Sequence, residues 1–155
     1  ILNKDYNLKI NKRNIIDGLK KAEWAGRFQF IEKNILVDSA HNPIAFKTLF
    51  DELRNIDYDQ LIMVVGFSDD KDIASISKII GNKASTIVLT KSNNFKASEP
   101  KTIKKYFNKN SIIINDPKKA LIYAKKIAKR KDLILITGSI FLVGEFIWKK
   151  TGNMK

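Results

Sequence analysis

Short apolar runs alternate with segments of helical spacing along most of this chain, and that alternation constrains its fold more than any other feature. Because the order strand, helix, strand requires crossover connections, it predicts a parallel sheet with helices on both faces. The runs are apolar without interruption, as expected of strands that are buried on both sides. Four of them have strand length, at residues 61–65, 86–89, 112–114 and 133–136.

A hairpin near the N-terminus is predicted to supply the other two strands. Phe28, Phe30, Ile35 and Val37 alternate around a short polar segment, which is the pattern of two antiparallel strands. We therefore predict an α/β fold, a Rossmann-like three-layer sandwich whose six-stranded sheet is mostly parallel, with one antiparallel strand from the hairpin. Helical spacing predicts helices at residues 11–22, 45–53, 73–80 and 140–148, with weaker signals that begin near 99 and 116.

The scarce residue types exclude several classes of function. The chain has no cysteine, so disulfide frameworks, thiol nucleophiles and cysteine-ligated metals are excluded. Its single histidine argues against a zinc site, and no metal ligands are expected in the chain. No apolar run approaches the roughly 20 residues of a membrane-spanning helix, so no membrane partner is expected.

The formal net charge of +13 admits two interpretations. One is a polyanionic partner such as nucleic acid, and the other is a lysine-rich composition with no binding role. The lysines are scattered, and their densest run, residues 118–131, carries an apolar stripe at helical spacing. That run is typical of the solvated face of a packed helix, so no nucleic-acid partner is expected.

Residues 38–43 follow the first parallel strand and form a candidate binding segment, because ligands of such sheets bind outside the carboxyl ends of the strands. Asn42 suits a helix N-cap and Pro43 the first helical position, where free N–H groups would favour an anion. Asp38 and His41 are expected to face the same crevice. The alternative is a capped turn in which both side chains bond locally, and the residues alone leave both readings open.

Two further segments follow strands of the predicted sheet. Lys71 lies among aspartates in residues 66–72, where a helix first turn is expected, and a cation there is electrostatically misplaced unless it binds an anion. Gly138 and Ser139 open the last helix and form a potential anion cradle. The alternatives are a local salt-bridge cluster around Lys71 and a plain N-cap at Ser139.

Several nucleotide-binding and hydrolase motifs are missing. The chain contains neither a G-x-x-x-x-G-K-[ST] phosphate loop nor a G-x-G-x-x-G fingerprint. Asp38, His41 and Ser139 have the residue types of a hydrolytic triad, but the segment around Ser139 is not the G-x-S-x-G elbow. The motifs therefore argue against a hydrolase and against a dinucleotide site within this chain.

Three segments, in this order, resemble the carboxy-terminal domain of folylpolyglutamate synthases, which belong to the Mur ligase superfamily. They are WAGRFQFIEKNILVDSAHNP at residues 24–43, VVGFSDDKDI at 64–73 and DLILITGSIFLVGEFI at 132–147. The resemblance extends over residues from about 10 to 148, which is nearly the whole chain.

The resemblance implies an ATP-dependent ligase that also needs Mg²⁺. A folate or dihydropteroate carboxylate would be phosphorylated to an acyl phosphate, and the amine of L-glutamate would then attack it to form an amide. Arg27 and Asp38 match family residues that contact ATP, and His41 and Lys71 match positions at the reacting centre. Lys71 and Ser139 match positions that hold the glutamate.

In this family the phosphate loop and the magnesium ligands lie in a preceding domain, so the resemblance implies that partner domain within the same polypeptide. Residues 1–23 would then be the end of the ATPase domain or a linker helix, and residues 24–155 the glutamate-ligase domain. A monomeric, cytoplasmic enzyme is expected, either a folylpolyglutamate synthase alone or one bifunctional with dihydrofolate synthase, and the isolated fragment is expected to be inactive. Another Mur-type amino-acid ligase and a basic, non-catalytic nucleic-acid-binding domain are the alternatives.

Overall fold

A six-stranded sheet forms the centre of the molecule, as predicted. The structure is a computed structural model, and it describes residues 10–22, 24–107 and 111–147. The strand order is β1-β2-β6-β3-β4-β5; only the β1–β2 pair is antiparallel, and the other neighbours pair in parallel. The strands are β1 (Gln29–Glu32), β2 (Ile35–Val37), β3 (Leu61–Val65), β4 (Thr86–Leu89), β5 (Ser111–Ile113) and β6 (Leu133–Thr137).

The helices lie close to their predicted positions, and most begin at the capping residues that the sequence offers. Asp116 and Asn42, for example, each accept a hydrogen bond from a backbone N–H in the first turn of the helix that follows. The helix predicted from residue 99 is only one turn long and continues as a 3₁₀ turn, Lys104–Tyr106. The predicted end of the last helix, residue 148, lies outside the described residues. The α-helices are α1 (Lys12–Lys21), α2 (Pro43–Leu53), α3 (Ile73–Ile80), α4 (Pro100–Ile103), α5 (Pro117–Ile127) and α6 (Ile140–Ile147).

Two apolar cores lie on opposite faces of the sheet. Alternate strand residues point to opposite faces, so Met63 joins one core while its neighbours Ile62 and Val64 join the other. Helices α2 and α3 cover the first face, and α5 and α6 cover the second. The predicted three-layer sandwich is therefore confirmed, and every residue of β2, β3 and β6 is buried.

Across the carboxyl edge of the sheet, the helix that follows each strand changes faces at β6. Strands β2 and β3 both lead into helices on the first face, whereas β6, which lies between them, leads into α6 on the second face. In open α/β sheets the crevice at such a switch point, outside the carboxyl ends of the strands, is where ligands bind. The segments that follow β2, β3 and β6 are therefore the ones that form the candidate site.

Helix α1 stands apart from both cores. Asn11 caps it, and its side chain accepts a hydrogen bond from the backbone N–H of Asn14. Its apolar stripe stays in contact with solvent, because Ile15, Ile16 and Leu19 are 53%, 41% and 71% exposed. The stripe is thus not packed among the residues that the structure describes. No helix within the described residues has the length and apolar character required to cross a membrane.

Candidate functional site

The turn after β2 fixes one face of His41. Its Nδ1 lies 2.9 Å from the carbonyl oxygen of Ser39, and since a carbonyl only accepts, Nδ1 must carry the proton of this bond. In the neutral form of the ring, Nε2 is then the hydrogen-bond acceptor. His41 is partly buried, immediately before the start of α2.

The start of α2 has the predicted cap. The side chain of Asn42 accepts a hydrogen bond of 2.8 Å from the N–H of Ala45, and Pro43 occupies the first helical position. One of the free N–H groups of the first turn is thereby used by Asn42, and the proline contributes none. The capped start holds His41 at the edge of the sheet.

Lys71 lies before helix α3 and not in its first turn, which corrects the expectation from sequence. Asp72 is the N-cap, because its side chain accepts a 3.0 Å hydrogen bond from the N–H of Ser75. Lys71 forms a 2.7 Å ion pair with Asp70, so part of the expected local cluster is present. The lysine side chain is 28% exposed and the aspartate side chain 60%.

The ion pair changes the titration of Asp70. The hydrogen bond from Lys71 lowers the pKa of this carboxyl below its ordinary value, and desolvation opposes that effect. A carboxyl whose pKa is lowered in the folded protein stabilises the fold at any pH above its ordinary pKa. That stabilisation is lost as the pH falls through the lowered pKa of the folded state. Asp70 is therefore ionised at neutral pH and holds the ammonium of Lys71 in place.

Ser139 begins the last helix from a fixed backbone. Its Oγ accepts a 3.1 Å hydrogen bond from the N–H of Phe141, so the capping role is present, and the residue is 5% exposed. The preceding residue, Gly138, has a φ of +105°, a conformation that L side chains rarely adopt. A Cβ at Gly138 would lie 2.7 Å from the carbonyl oxygen of Gly66. The loops after β6 and β3 therefore approach each other closely only because Gly138 lacks a side chain.

One cavity of about 460 Å³ brings these side chains together, and we call it the carboxyl-edge cavity. His41, Lys71 and Ser139 all line it, although they follow three different strands. Its chemistry suits a small anion with an apolar part, because lysines and a helix start lie opposite apolar side chains. The full lining consists of His41, Ser68, Asp70, Lys71, Asn94, Phe95, Lys96, Ser139, Ile140 and Phe141.

Sequence reasoning missed the segment 94–96, which follows β4 and contributes three lining residues. This segment is joined to the loop after β3 by a bridge between Ser68 and Ala97 and by a 2.8 Å hydrogen bond from Asp69 N–H to the Lys96 carbonyl. It also supplies an exposed aromatic ring, since Phe95 is 90% exposed. Lys71 was selected because it follows the carboxyl end of a parallel strand. The same criterion would have selected residues 94–96, because this segment leaves the same edge of the same sheet.

Asp38 does not face the crevice as expected. It is 9% exposed, and its two oxygens accept hydrogen bonds from the N–H groups of Phe28, at 2.9 Å, and Ala40, at 2.8 Å. Ser39 makes two further bonds of 2.9 Å to the carbonyl oxygen of Gly26, one from its N–H and one from its hydroxyl. Together these contacts hold the turn of Gly26, Arg27 and Phe28 against the sheet edge.

Arg27 is presented by that turn and lies outside the described lining of the carboxyl-edge cavity. The residue is exposed, and its guanidinium forms no salt bridge with any of the described residues. Phe28 beside it has a φ of +41°, an unusual value for a residue other than glycine. The structure thus separates the predicted residues into two groups, with His41, Lys71 and Ser139 in the cavity and Arg27 and Asp38 at the adjacent turn.

The sequence of residues 26–140 matches the family described as Mur ligase, glutamate ligase domain. The matched span contains the Arg27 turn and every lining residue of the carboxyl-edge cavity except Phe141. The chain belongs to this family. The candidate site is therefore the carboxyl edge of a glutamate ligase domain.

Relatives of two kinds share this domain. A dihydrofolate synthase/folylpolyglutamate synthase of Buchnera aphidicola is 31% identical over 144 residues, which cover 90% of this chain and 34% of the relative. A UDP-N-acetylmuramoyl-L-alanyl-D-glutamate–2,6-diaminopimelate ligase of Caldanaerobacter subterraneus is 26% identical over 145 residues, covering 84% of this chain and 30% of that protein. The chain thus spans about a third of the length of these relatives.

Solved structures share the fold of this glutamate ligase domain. The Escherichia coli FolC in complex with ADP superposes with a TM-score of 0.84 at 22% identity, over 95% of this chain and 36% of that one. A bifunctional folylpolyglutamate synthase/dihydrofolate synthase of Yersinia pestis, complexed with AMPPNP and a Mn ion, gives a TM-score of 0.84 at 23% identity over 92% of this chain and 35% of that one. At these identities the likeness establishes the fold.

The two hydrogen bonds of Asp38 lead to a prediction about stability. Asp38→Ala is expected to lower the free energy of unfolding of the glutamate ligase domain by about 1–3 kcal/mol, because it leaves buried N–H donors without an acceptor. Urea unfolding of the chain measures the loss. Asp38→Asn is the matched control, since its amide oxygen still accepts one of the two bonds. An Asp38→Ala variant as stable as the parent chain would show that these bonds do not hold the turn.

Proposed function

We propose that this domain is the carboxy-terminal half of the active site of an ATP-dependent folate glutamate ligase. The reaction would join a folate or dihydropteroate carboxylate to L-glutamate through an acyl phosphate. The observation that supports this most directly is the convergence of His41, Lys71 and Ser139 on one cavity at the switch point of the sheet. A folylpolyglutamate synthase, alone or bifunctional with dihydrofolate synthase, fits the two Buchnera relatives, which are each 31% identical to this chain.

Glutamate is the ligand that the carboxyl-edge cavity fits best in this proposal. Lys71 supplies a cation already oriented by Asp70, and Lys96 supplies a second cation on the facing loop. The start of α6, with the hydroxyl of Ser139, offers hydrogen-bond donors to a carboxylate. Two carboxylates of one small ligand would thus have separate sets of donors in the same cavity.

His41 would act on the amine of the incoming glutamate. An amine attacks a carbonyl carbon only after it has lost its extra proton, and Nε2 of a neutral histidine is an acceptor for that proton. The bond from Nδ1 to Ser39 fixes both the tautomer and the direction of the ring. We assign His41 the role of general base on this ground.

ATP with Mg²⁺, when bound, would supply the phosphoryl group that activates the acceptor carboxylate. The exposed guanidinium of Arg27, which forms no salt bridge with a described residue, fits the phosphates of a nucleotide, because its planar fork binds phosphate oxygens in pairs. Asp38 would act near the nucleotide by holding the Arg27 turn in position. No group of three or more metal-ligating side chains occurs among the described residues, so the metal ligands are assigned to the preceding domain.

The apolar stripe of α1 supports the assignment of residues 1–23 to the end of that preceding ATPase domain or to a linker helix. An amphipathic helix whose apolar side chains are 41–71% exposed gains stability when another apolar surface covers it. The proposal therefore places a phosphate-loop domain in the same polypeptide, closing over ATP against the carboxyl edge. The complete enzyme would be a cytoplasmic monomer that needs no nucleic acid or membrane.

The chain alone is expected to fold but to form no amide. The sheet and both cores are complete, whereas the sequence contains no phosphate-binding loop. The assay is ATP- and glutamate-dependent extension of a folate substrate, run with this chain and with the longer polypeptide that carries the ATPase domain. Turnover by the chain alone at about 1 per second or more, a typical enzymatic rate, would contradict the proposal. So would a longer polypeptide that hydrolyses ATP but extends no folate.

Lys71 provides a test of glutamate binding. In the longer polypeptide, Lys71→Ala is expected to raise the KM for glutamate by about 10–100-fold, the worth of a charge-assisted hydrogen bond, with little effect on the KM for ATP. The melting temperature should hardly change, because the Lys71–Asp70 pair lies at the surface, with the aspartate side chain 60% exposed, and such pairs contribute little stability. Lys78→Ala, an exposed lysine on α3, is the matched control. An unchanged KM with a lowered melting temperature would make Lys71 a structural residue.

A second candidate function, ligation of another amino acid to another acceptor, is favoured by the diaminopimelate ligases among the relatives. Both candidate functions use the same carboxyl-edge cavity. They differ in the amino acid that is added and in the acceptor that receives it. Steady-state assays with L-glutamate and with diaminopimelate, each with a folate and with a peptidoglycan precursor, decide between the two. Preference for diaminopimelate would replace the folate proposal.

A further inference from the structure

A second cavity, of about 700 Å³, lies at the opposite edge of the sheet, where the strands begin, and we call it the amino-edge cavity. Asn34 precedes β2, Tyr58 precedes β3 and Asp132 precedes β6, and all three line it. It shares no lining residue with the carboxyl-edge cavity. Its volume is within the range of about 300–1,000 Å³ that is usual for small-molecule sites.

Asp132 is the most unusual residue in this cavity. It is 4% exposed, and its Oδ2 accepts a 2.8 Å hydrogen bond from the N–H of Lys129. Its Oδ1 is buried and has no hydrogen-bond partner among the described residues. A buried carboxylate oxygen without a donor is costly, so a donor group that reached it would be strongly favoured. Arg130 and Lys131, the two residues before Asp132 in the chain, also line the cavity and are exposed.

Cations surround the same cavity. Lys33, Arg130 and Lys131 line it, and neither Lys33 nor Arg130 forms a salt bridge with any described residue. Lys131 lies 3.9 Å from Asp57, but both side chains are mostly exposed, so this pair is weak. An anionic group would therefore find at least two cations with no acidic partner to displace.

The lining also contains four apolar or aromatic residues, Phe30, Ile56, Tyr58 and Leu133. Phe30 on β1 is 46% exposed and occupies one of the exposed positions in the alternating burial pattern of that strand. Tyr58 is partly buried against the first core, with its neighbour Ile56 also in the lining. Exposed aromatic faces of this kind bind planar rings by stacking.

We propose that the amino-edge cavity is a second ligand site, for an anion that carries a planar nitrogen heterocycle. A ring N–H or amino group would donate to Oδ1 of Asp132, the ring would lie against Phe30 or Tyr58, and the anionic end would be held by Arg130 and Lys33. Nucleotides and folates share this chemistry, with phosphates and carboxylates respectively as the anionic end. The inference does not depend on the proposed function, because it uses none of the residues at the carboxyl edge.

Calorimetric titration of the chain with ADP and with folic acid tests this site. Binding of either compound is expected to weaken about tenfold or more in Arg130→Ala and in Asp132→Asn, because each change removes a charged hydrogen-bonding group. Asp132→Asn should keep its melting temperature, since the amide oxygen still accepts the bond from Lys129. Lys78→Ala, an exposed lysine on α3 that lines neither cavity, serves as the control and should not change the affinity.

The results of this titration distinguish a nucleotide from a folate as the ligand, and they show whether the amino-edge cavity is the site that binds it. Binding of ADP alone identifies a nucleotide site, and binding of folic acid alone identifies a folate site. Equal binding of L-glutamate, which has no ring, would overturn the role of the aromatic walls and with it the proposed ligand class. Absence of binding up to about 1 mM, or binding that Arg27→Ala or Lys71→Ala abolishes while Arg130→Ala does not, would overturn the site.

Discussion

In the longer polypeptide with its ATPase domain, His41→Ala is expected to lower kcat for amide formation by about 10²–10⁴-fold, the usual contribution of a positioned general base. We expect this loss because the two ring nitrogens have different roles. Nδ1 is used by the 2.9 Å bond to Ser39, which leaves Nε2 for the carboxyl-edge cavity. Because the ring is only partly buried, its loss should cost the domain little stability.

Two further substitutions at His41 separate catalysis from anchoring. His41→Asn places an amide nitrogen near the position of Nδ1, so it can still donate to the Ser39 carbonyl, but it offers nothing at Nε2. We expect it to be as slow as the alanine variant and as stable as the parent. His41→Gln, which reaches the Nε2 position with an amide, tests whether a neutral polar group there suffices. Full activity in His41→Asn would show that the ring only anchors the turn.

Gly138→Ala is expected to destabilise the domain by about 2–6 kcal/mol, as the sum of a strained backbone and an overpacked contact. The φ of +105° disfavours any side chain, and the added Cβ would lie 2.7 Å from the backbone oxygen of Gly66. A backbone oxygen within a paired strand end cannot move aside as a flexible side chain can. Since folded domains are stable by only about 5–15 kcal/mol, a loss of this size is a large fraction of the total.

Urea or thermal unfolding of the chain measures the effect of Gly138→Ala directly. Gly18→Ala is the matched control, because Gly18 lies within α1 and a Cβ there meets nothing within 4 Å. An alanine inside a helix is favoured over glycine by about 0.5–1 kcal/mol, so this variant should be at least as stable as the parent. Equal stability of the two variants would mean that the loops after β3 and β6 can separate without cost.

Sequence periodicity was sufficient for most of the fold because most of the parallel strands are continuous apolar runs, the hairpin alternates, and most helices have their own start signal. Thr86–Leu89 and Leu61–Val65 appear with their predicted bounds, and the hairpin forms the antiparallel pair. The strand order could not be predicted in the same way. It depends on which crossovers pack best on each face, and nothing local to residues 133–137 indicates insertion between β2 and β3.

The candidate site was predicted in part for a similar reason. Strand ends converge at one edge whatever the order of the strands, so His41, Lys71 and Ser139 could be grouped from sequence. The direction of a side chain, in contrast, is set by its local hydrogen bonds. For this reason the side chain of Asp38 does not face the crevice, contrary to the expectation from the sequence. Its carboxylate is drawn inward by two backbone N–H groups, one of them from a turn ten residues earlier in the chain.

The central position of β6 has a consequence for how the domain is made. Ile134 pairs with both Ile35 and Ile62, so the middle of the sheet joins segments that are up to about 100 residues apart along the chain. During synthesis, the edges of β2 and β3 that pair with β6 therefore remain unpaired until residues 133–137 have left the ribosome. Such edges invite pairing with other chains, so slow translation or premature termination just before β6 should yield aggregates, and a chaperone that shields strand edges should act before the last strand arrives.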